Sequence, residues 1–127
     1  MAGLSASIMF FGEGVVEYRG NTCSLIIDPE ISRYYRRLIP KYIECNPPKF
    51  TPHITIVREW EKTGWDFLDH PHDGYVFEFA YDPYIHYESP YFYLRCWCRE
   101  IGMIRKKFGL VPYRKDGCYH ITIGNSK

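Results

Sequence analysis

The chain has almost no surplus of charge of either sign. Against 16 Lys+Arg stand 15 Asp+Glu, a formal net charge of +1 over 127 residues. Proteins that coat long nucleic acid usually carry a strong basic excess, so a long nucleic-acid partner is not expected. A small anionic ligand needs only a few local donors and is not excluded. No apolar stretch approaches the roughly 20 residues that cross a bilayer as a helix, so no membrane partner is expected. A secretory leader is not expected either. The N-terminus lacks an early basic residue, and its apolar run, Ile8 to Phe11, is broken by Gly12-Glu13-Gly14. Gly3 follows Ala2, so the myristoylation pattern, which needs Gly second, is absent. The expectation is a cytoplasmic protein.

Cysteine is present but does not form a framework. Cys23, Cys45, Cys96, Cys98 and Cys118 are an odd count, and a closed disulfide set would leave one over. They read as small core thiols of a reducing compartment. Cys96-x-Cys98 has no second Cys/His pair at finger-like spacing, so neither a metal nor another cofactor is expected. His70 and His72 stand among Asp, Pro and Gly and read as exposed loop residues.

Aromatic residues, by contrast, are plentiful. They make up 18% of the chain, with 12 Tyr, 8 Phe and 3 Trp. Buried tyrosines need partners for their hydroxyls, and a small core cannot satisfy so many. Some must lie on a surface or in a cleft. At 46% hydrophobic and 24% charged, the composition is that of an ordered globular protein, and the length fits one domain spanning residues 1–127.

Local patterns give the element order. Ser5 to Tyr18 reads as a strand, Arg19-Gly20-Asn21 as a turn, and Thr22 to Ile27 as the second strand of a hairpin. Asp28-Pro29-Glu30 is a helix start, with Asp as N-cap and Pro first in the helix. Ile31, Tyr34, Tyr35 and Leu38 follow at helical spacing, and Pro40 ends the helix. Thr51 to Arg58 is a strand, and Glu61 to Gly74 a long loop. Tyr75 to Tyr81, Tyr84 to Tyr87 and Tyr91 to Trp97 are further strands. A helix runs from about Cys98 to Phe108, carrying Ile101, Ile104 and Phe108 on one face and ending before Gly109. Asp116-Gly117 is a turn, and Tyr119 to Ile123 the last strand.

The sequence HITI occurs twice, at His53–Ile56 and His120–Ile123. A strand, a helix and a Pro-containing linker precede each copy. The strands start 31 and 29 residues before their histidines, and the helices 24 and 22 before them. One strand–helix–linker–HITI unit therefore appears twice, which predicts two halves related by a pseudo-two-fold axis. Successive strand side chains point to opposite faces. His53 and Thr55 share one face, roughly 6.5–7 Å apart along the strand, with Ile54 and Ile56 on the core face. His120 and Thr122 do the same. Two imidazoles flanking a phosphodiester suit acid–base chemistry, one taking a proton from the nucleophile and the other giving one to the leaving oxygen. The threonine hydroxyls are placed to donate to non-bridging oxygens.

These residues resemble the two-histidine (2H) phosphoesterase superfamily, marked by two H-hydrophobic-[ST]-hydrophobic motifs. The resemblance covers most of the chain. It implies an α+β bilobal fold, two pseudo-symmetric lobes of antiparallel sheet plus helix around a central cleft. It also implies metal-independent cleavage of phosphodiesters, with His53, Thr55, His120 and Thr122 as catalytic residues. Within the superfamily, the small size, the Tyr-rich lobes and the Tyr18 to Ile56 stretch look most like the phage anti-CBASS phosphodiesterases. The substrate implied is a cyclic di- or trinucleotide of bacterial immunity, met in the host bacterial cytoplasm. In that branch a ribose 2′-hydroxyl can be the nucleophile. Only five residues follow Thr122, so any ligand contact that relatives make from a longer C-terminal segment is missing or supplied elsewhere.

Tyr18, Trp60, Trp65 and Tyr119 are candidates for stacking on bases, since they lie beside the motif strands or in the loop after the first one. The alternative for each is plain packing. Arg58 has the parity of Ile54 and Ile56 and points away from the cleft in a regular strand, which leaves Arg114-Lys115 as the better basic candidate. Two other functions stay open. One is cleavage of linear RNA ends or 2′,3′-cyclic mononucleotides. The other is a non-catalytic nucleotide- or RNA-binding module using the aromatics of Tyr75 to Trp97, although the ribonucleoprotein consensus is absent. The oligomeric state is not encoded in any recognisable pattern.

Overall fold

The computed structural model describes residues 8–61, 63–113 and 117–127. The start of the predicted first strand at Ser5, the pair Arg114-Lys115 and turn residue Asp116 lie outside them. The elements are β1 (Phe10–Arg19), β2 (Thr22–Ile27), α1 (Pro29–Leu38), β3 (His53–Val57), β4 (Val76–Tyr81), β5 (His86–Glu88), β6 (Tyr91–Trp97), α2 (Arg99–Lys107) and β7 (Tyr119–Asn125). A short 3-10 turn, Trp65–Asp69, interrupts the long loop between β3 and β4.

Local chemistry explains the boundaries. A two-residue turn joins β1 to β2, pairing Arg19 with Thr22, and Gly20 supplies its left-handed position at φ 57. The Asp28 carboxylate accepts the Glu30 N–H at 3.0 Å and caps α1, with Pro29 first in the helix. Pro40 holds Ile39 extended at ψ 128, and the helix stops there. Gly109, at φ 77, follows the end of α2.

All strand pairings are antiparallel. The sheet runs β4-β1-β2-β3-β7-β6-β5, and β4 pairs with β6 as well as with β1. Six strands therefore close on themselves as a barrel, and β5 hangs outside the ring on β6. This overturns the bilobal α+β expectation. There are not two lobes around a central cleft but one mostly-sheet barrel with two short helices. The reason lies in β4. It pairs with β1 from Phe10↔Tyr81 to Val15↔Val76, and its far end also meets β6 at Ala80↔Trp97 and Tyr81↔Cys96. No strand of the repeated unit corresponds to β4, so a reading built on the repeat had no element to close the ring. A single apolar cluster fills the barrel, with Leu25, Ile54, Ile56, Phe79, Leu94 and Ile121 at its centre.

Two irregularities shape the outer surface. Cys23 pairs with Val57 and Ser24 with Thr55, so Ile56 is one residue too many on β3. Phe92 pairs with Gly124 and Tyr93 with Thr122, so Ile123 is one too many on β7. Each is a β-bulge, and each falls three residues after a motif histidine. Both members of Ile56-Val57 and of Ile123-Gly124 are buried in consequence.

Helix α1 buries half of the predicted stripe. Tyr35 is buried and Ile31 packs against the core, whereas Tyr34 and Leu38 are exposed and Ser32 is buried in their place. The helix is turned so that Ser32 and Arg36 reach the carbonyl of Ile123, at 3.4 and 3.0 Å. A polar partner, together with Ile31 and Tyr35, sets its rotation.

Candidate active site

The two motif strands are neighbours, paired at Ile54↔Ile121. The four motif isoleucines are fully buried, and His53, Thr55, His120 and Thr122 are half-buried on the outer face. The motifs thus lie side by side on one surface and do not face each other across a groove. Continuing the register sets His53 beside Thr122 and Thr55 beside His120. The histidines then sit on a diagonal, with backbones roughly 7–8 Å apart.

Each ring is fixed differently. His53 Nδ1 lies 2.7 Å from the Thr51 carbonyl oxygen. A carbonyl can only accept, so Nδ1 carries the proton and Nε2 is left for proton exchange. The His120 ring stacks on Tyr93 at 4.1 Å, and Tyr93 stacks in turn on His86 at 5.4 Å. His86 Nε2 is 3.8 Å from the buried carboxylate of Asp82. Arg95 holds that carboxylate with two bonds of 3.1 and 3.0 Å, and is itself the cross-strand neighbour of His120.

Two clefts meet at His53 and Thr55. One, of 490 Å³, continues along Phe50, Tyr91, Thr122 and Asn125. The other, of 670 Å³, runs past Arg19, Ser24 and Trp60. Lys49 and Arg58 line both. His120 is across the seam, against Tyr93, and lines neither. The clefts therefore gather one imidazole, two hydroxyls and two cations, with the His120 imidazole on the same face across the seam.

Arg58 corrects the parity expectation. The bulge at Ile56 shifts alternation by one, Val57 takes the inward place, and Arg58 returns to the face of His53 and Thr55. Asn125 does the same after Ile123. Both stand five residues after their histidines, a shared offset that marks them in the sequence. Lys49, Phe50, Tyr91 and Tyr93 carried no comparable signal.

The stacking candidates separate. Trp60 is 77% exposed in the second cleft, with the Arg58 guanidinium 6.0 Å over its ring. Trp65 is also exposed, but on the 3-10 turn, and lines neither cleft. Tyr18 packs on the core, stacks on His70 at 4.4 Å and donates its hydroxyl to the Pro71 carbonyl at 2.7 Å. Burial pushes its phenol upward. Tyr119 is a core residue, with its hydroxyl donating to the Pro112 carbonyl, and burial pushes its phenol up to about 12. Arg114 lies outside the described residues. His70 is exposed and His72 half-buried, both in the left-handed region.

All five cysteines are free thiols, and only Cys45 is not fully buried. Burial raises the Cys98 thiol to about 11 and the Cys23 thiol to about 12. Among the described residues no His, Cys, Asp and Glu cluster is placed to hold a metal, and no helix is long and apolar enough to cross a membrane. No protein-family model, curated protein or solved structure matches this chain.

Proposed function

We propose that the protein is a metal-independent phosphodiesterase of the two-histidine type, acting on cyclic di- or trinucleotides of bacterial antiphage (CBASS) signalling. One observation supports this reading above the others. The Ile54↔Ile121 pairing sets two His-Thr pairs on one face, beside clefts that also hold Lys49 and Arg58. In the reaction, one histidine accepts the proton of a ribose 2′-hydroxyl as its oxygen attacks the adjacent phosphorus. The bond from phosphorus to the 5′-oxygen breaks, and the other histidine protonates that oxygen. The product is a linear nucleotide ending in a 2′,3′-cyclic phosphate. Thr55 and Thr122 donate to the non-bridging oxygens as charge builds there. The two cations offset the ligand's charge, and Trp60 offers a base a stacking face. The near-neutral net charge suits such a compact ligand.

The purified protein is expected to linearise a cyclic dinucleotide in the presence of EDTA. His53→Ala and His120→Ala should each lower turnover by about 10²–10⁴-fold. Full turnover in both variants refutes the assignment. A panel adding linear RNA ends and 2′,3′-cyclic mononucleotides, read by product mass, fixes the substrate class. Tight binding without product from any of them makes the protein a binding module instead.

A further inference from the structure

A β-bulge leaves a backbone carbonyl that the sheet ladder no longer occupies, and a buried carbonyl needs a partner. At both bulges the partner is a guanidinium. Arg105, on α2, donates from Nη1 to the Ile56 carbonyl at 2.7 Å. Arg36, on α1, donates from Nη1 to the Ile123 carbonyl at 3.0 Å. The exchange is reciprocal: the helix of each repeat braces the motif of the other.

The first brace is extensive. Arg105 is 5% exposed, and a buried guanidinium is unfavourable unless its donors are matched. Here they are. Glu61 accepts from Nη1 and Nη2 at 2.9 and 2.7 Å, and the Val111 carbonyl accepts from Nε at 2.6 Å. Glu61 also accepts the backbone N–H of Arg58 at 2.9 Å, so the brace continues to the residue that the bulge re-aims. At the second bulge, Arg36 also bonds Ser32 at 3.1 Å. The backbone of Asn125 is held by two bonds to that of Asn46, at 2.7 and 3.0 Å.

We infer that Arg36 and Arg105 are positioning residues of the active face, each acting on the other repeat's motif, and that their task is to aim Asn125 and Arg58 at the bound phosphodiester. The inference rests on the phosphodiesterase reading. Without the bulges, alternation would turn Arg58 and Asn125 to the barrel interior. With them, each motif presents a third polar group beside its histidine and threonine.

Double-mutant cycles on kcat/KM for a cyclic dinucleotide test this. Arg36→Met is expected to lower kcat/KM by about 10–100-fold, as displacement of a reacting group does. Its effect should largely vanish in an Asn125→Ala background and persist in full with Arg58→Ala. Arg105→Met should show the reverse. Arg36→Lys, which keeps a donor, should recover part of the loss. Arg105→Met leaves Glu61 unpaired, so if that variant does not fold, the Arg36 cycle decides alone. Equal coupling of Arg36 to both partners would mean general loosening and would overturn the inference.

If the wild-type protein turns over no substrate in the panel, the phosphodiesterase reading fails separately. The aiming is then read by amide NMR with inorganic phosphate as probe. Phosphate should shift the Arg58 and Asn125 amides in the wild type. Arg36→Met should abolish the shift at Asn125 and spare that at Arg58. No shift at either site, or equal loss at both, overturns the inference.

Discussion

The Nδ1 side of the His53 ring is occupied before any ligand arrives. The Thr51 carbonyl, two residues before the motif, holds its Nδ1 proton. At this scale the sequence was a good guide for the four motif side chains, because strand alternation needs no tertiary information. It was a poor guide for Tyr18, on β1, and for Tyr119, directly before His120, because the parity of both belongs to the core. Tyr119 carries a measurable consequence. Its folded phenol titrates near 12, above the ordinary 10 of an unfolded chain. Folding therefore favours the neutral phenol. That contribution is whole below about pH 10 and is lost as pH rises through 12. Urea midpoints measured from pH 8 to 12 should fall across this window. Tyr119→Phe should make the fall shallower.

At the level of elements, alternation and capping located the strands and helices within a few residues. The bulges were not legible, because a bulge is set by the partner strand and not by its own sequence. The rotation of α1 was legible only in part for the same reason: a bulge carbonyl on β7 draws Ser32 and Arg36 inward, so Ile31 and Tyr35 meet the core while Tyr34 and Leu38 stay exposed. The second bulge also constrains the loop before β3. A Cβ on Gly124 would collide with the Cys45 sulfur and approach the Asn46 carbonyl oxygen at 2.8 Å. Backbone cannot yield as a side-chain tip can. Gly124→Ala is expected to destabilise the fold by roughly 1–3 kcal/mol, seen as a lower urea midpoint with an unchanged slope. Val57, its counterpart in the first bulge, fits the core with a full side chain.

For the molecule as a whole, the repeat was visible and the closure was not. The seam that joins the two motif strands is narrow, with one register pair between β3 and β7. The segments before and after the 3-10 turn are nevertheless joined by the six-position β1–β4 ladder and by both arginine braces. Cutting the chain between exposed Trp65 and Asp66 should therefore leave the fragments associated. A protease site placed there should yield two bands under denaturing conditions and one peak on gel filtration. Separation into two peaks would show that chain continuity, and not packing, holds the barrel closed.

The crossed arginines also govern how such a molecule can change over generations. A substitution that shifts α1 is felt in the second motif, and one that shifts α2 in the first. Neither copy of the repeat can drift alone, and compensation runs between the halves. Positions 36 and 123–125 form one coupled unit and positions 105, 61 and 56–58 another. The two copies of the repeat are thereby mutually dependent.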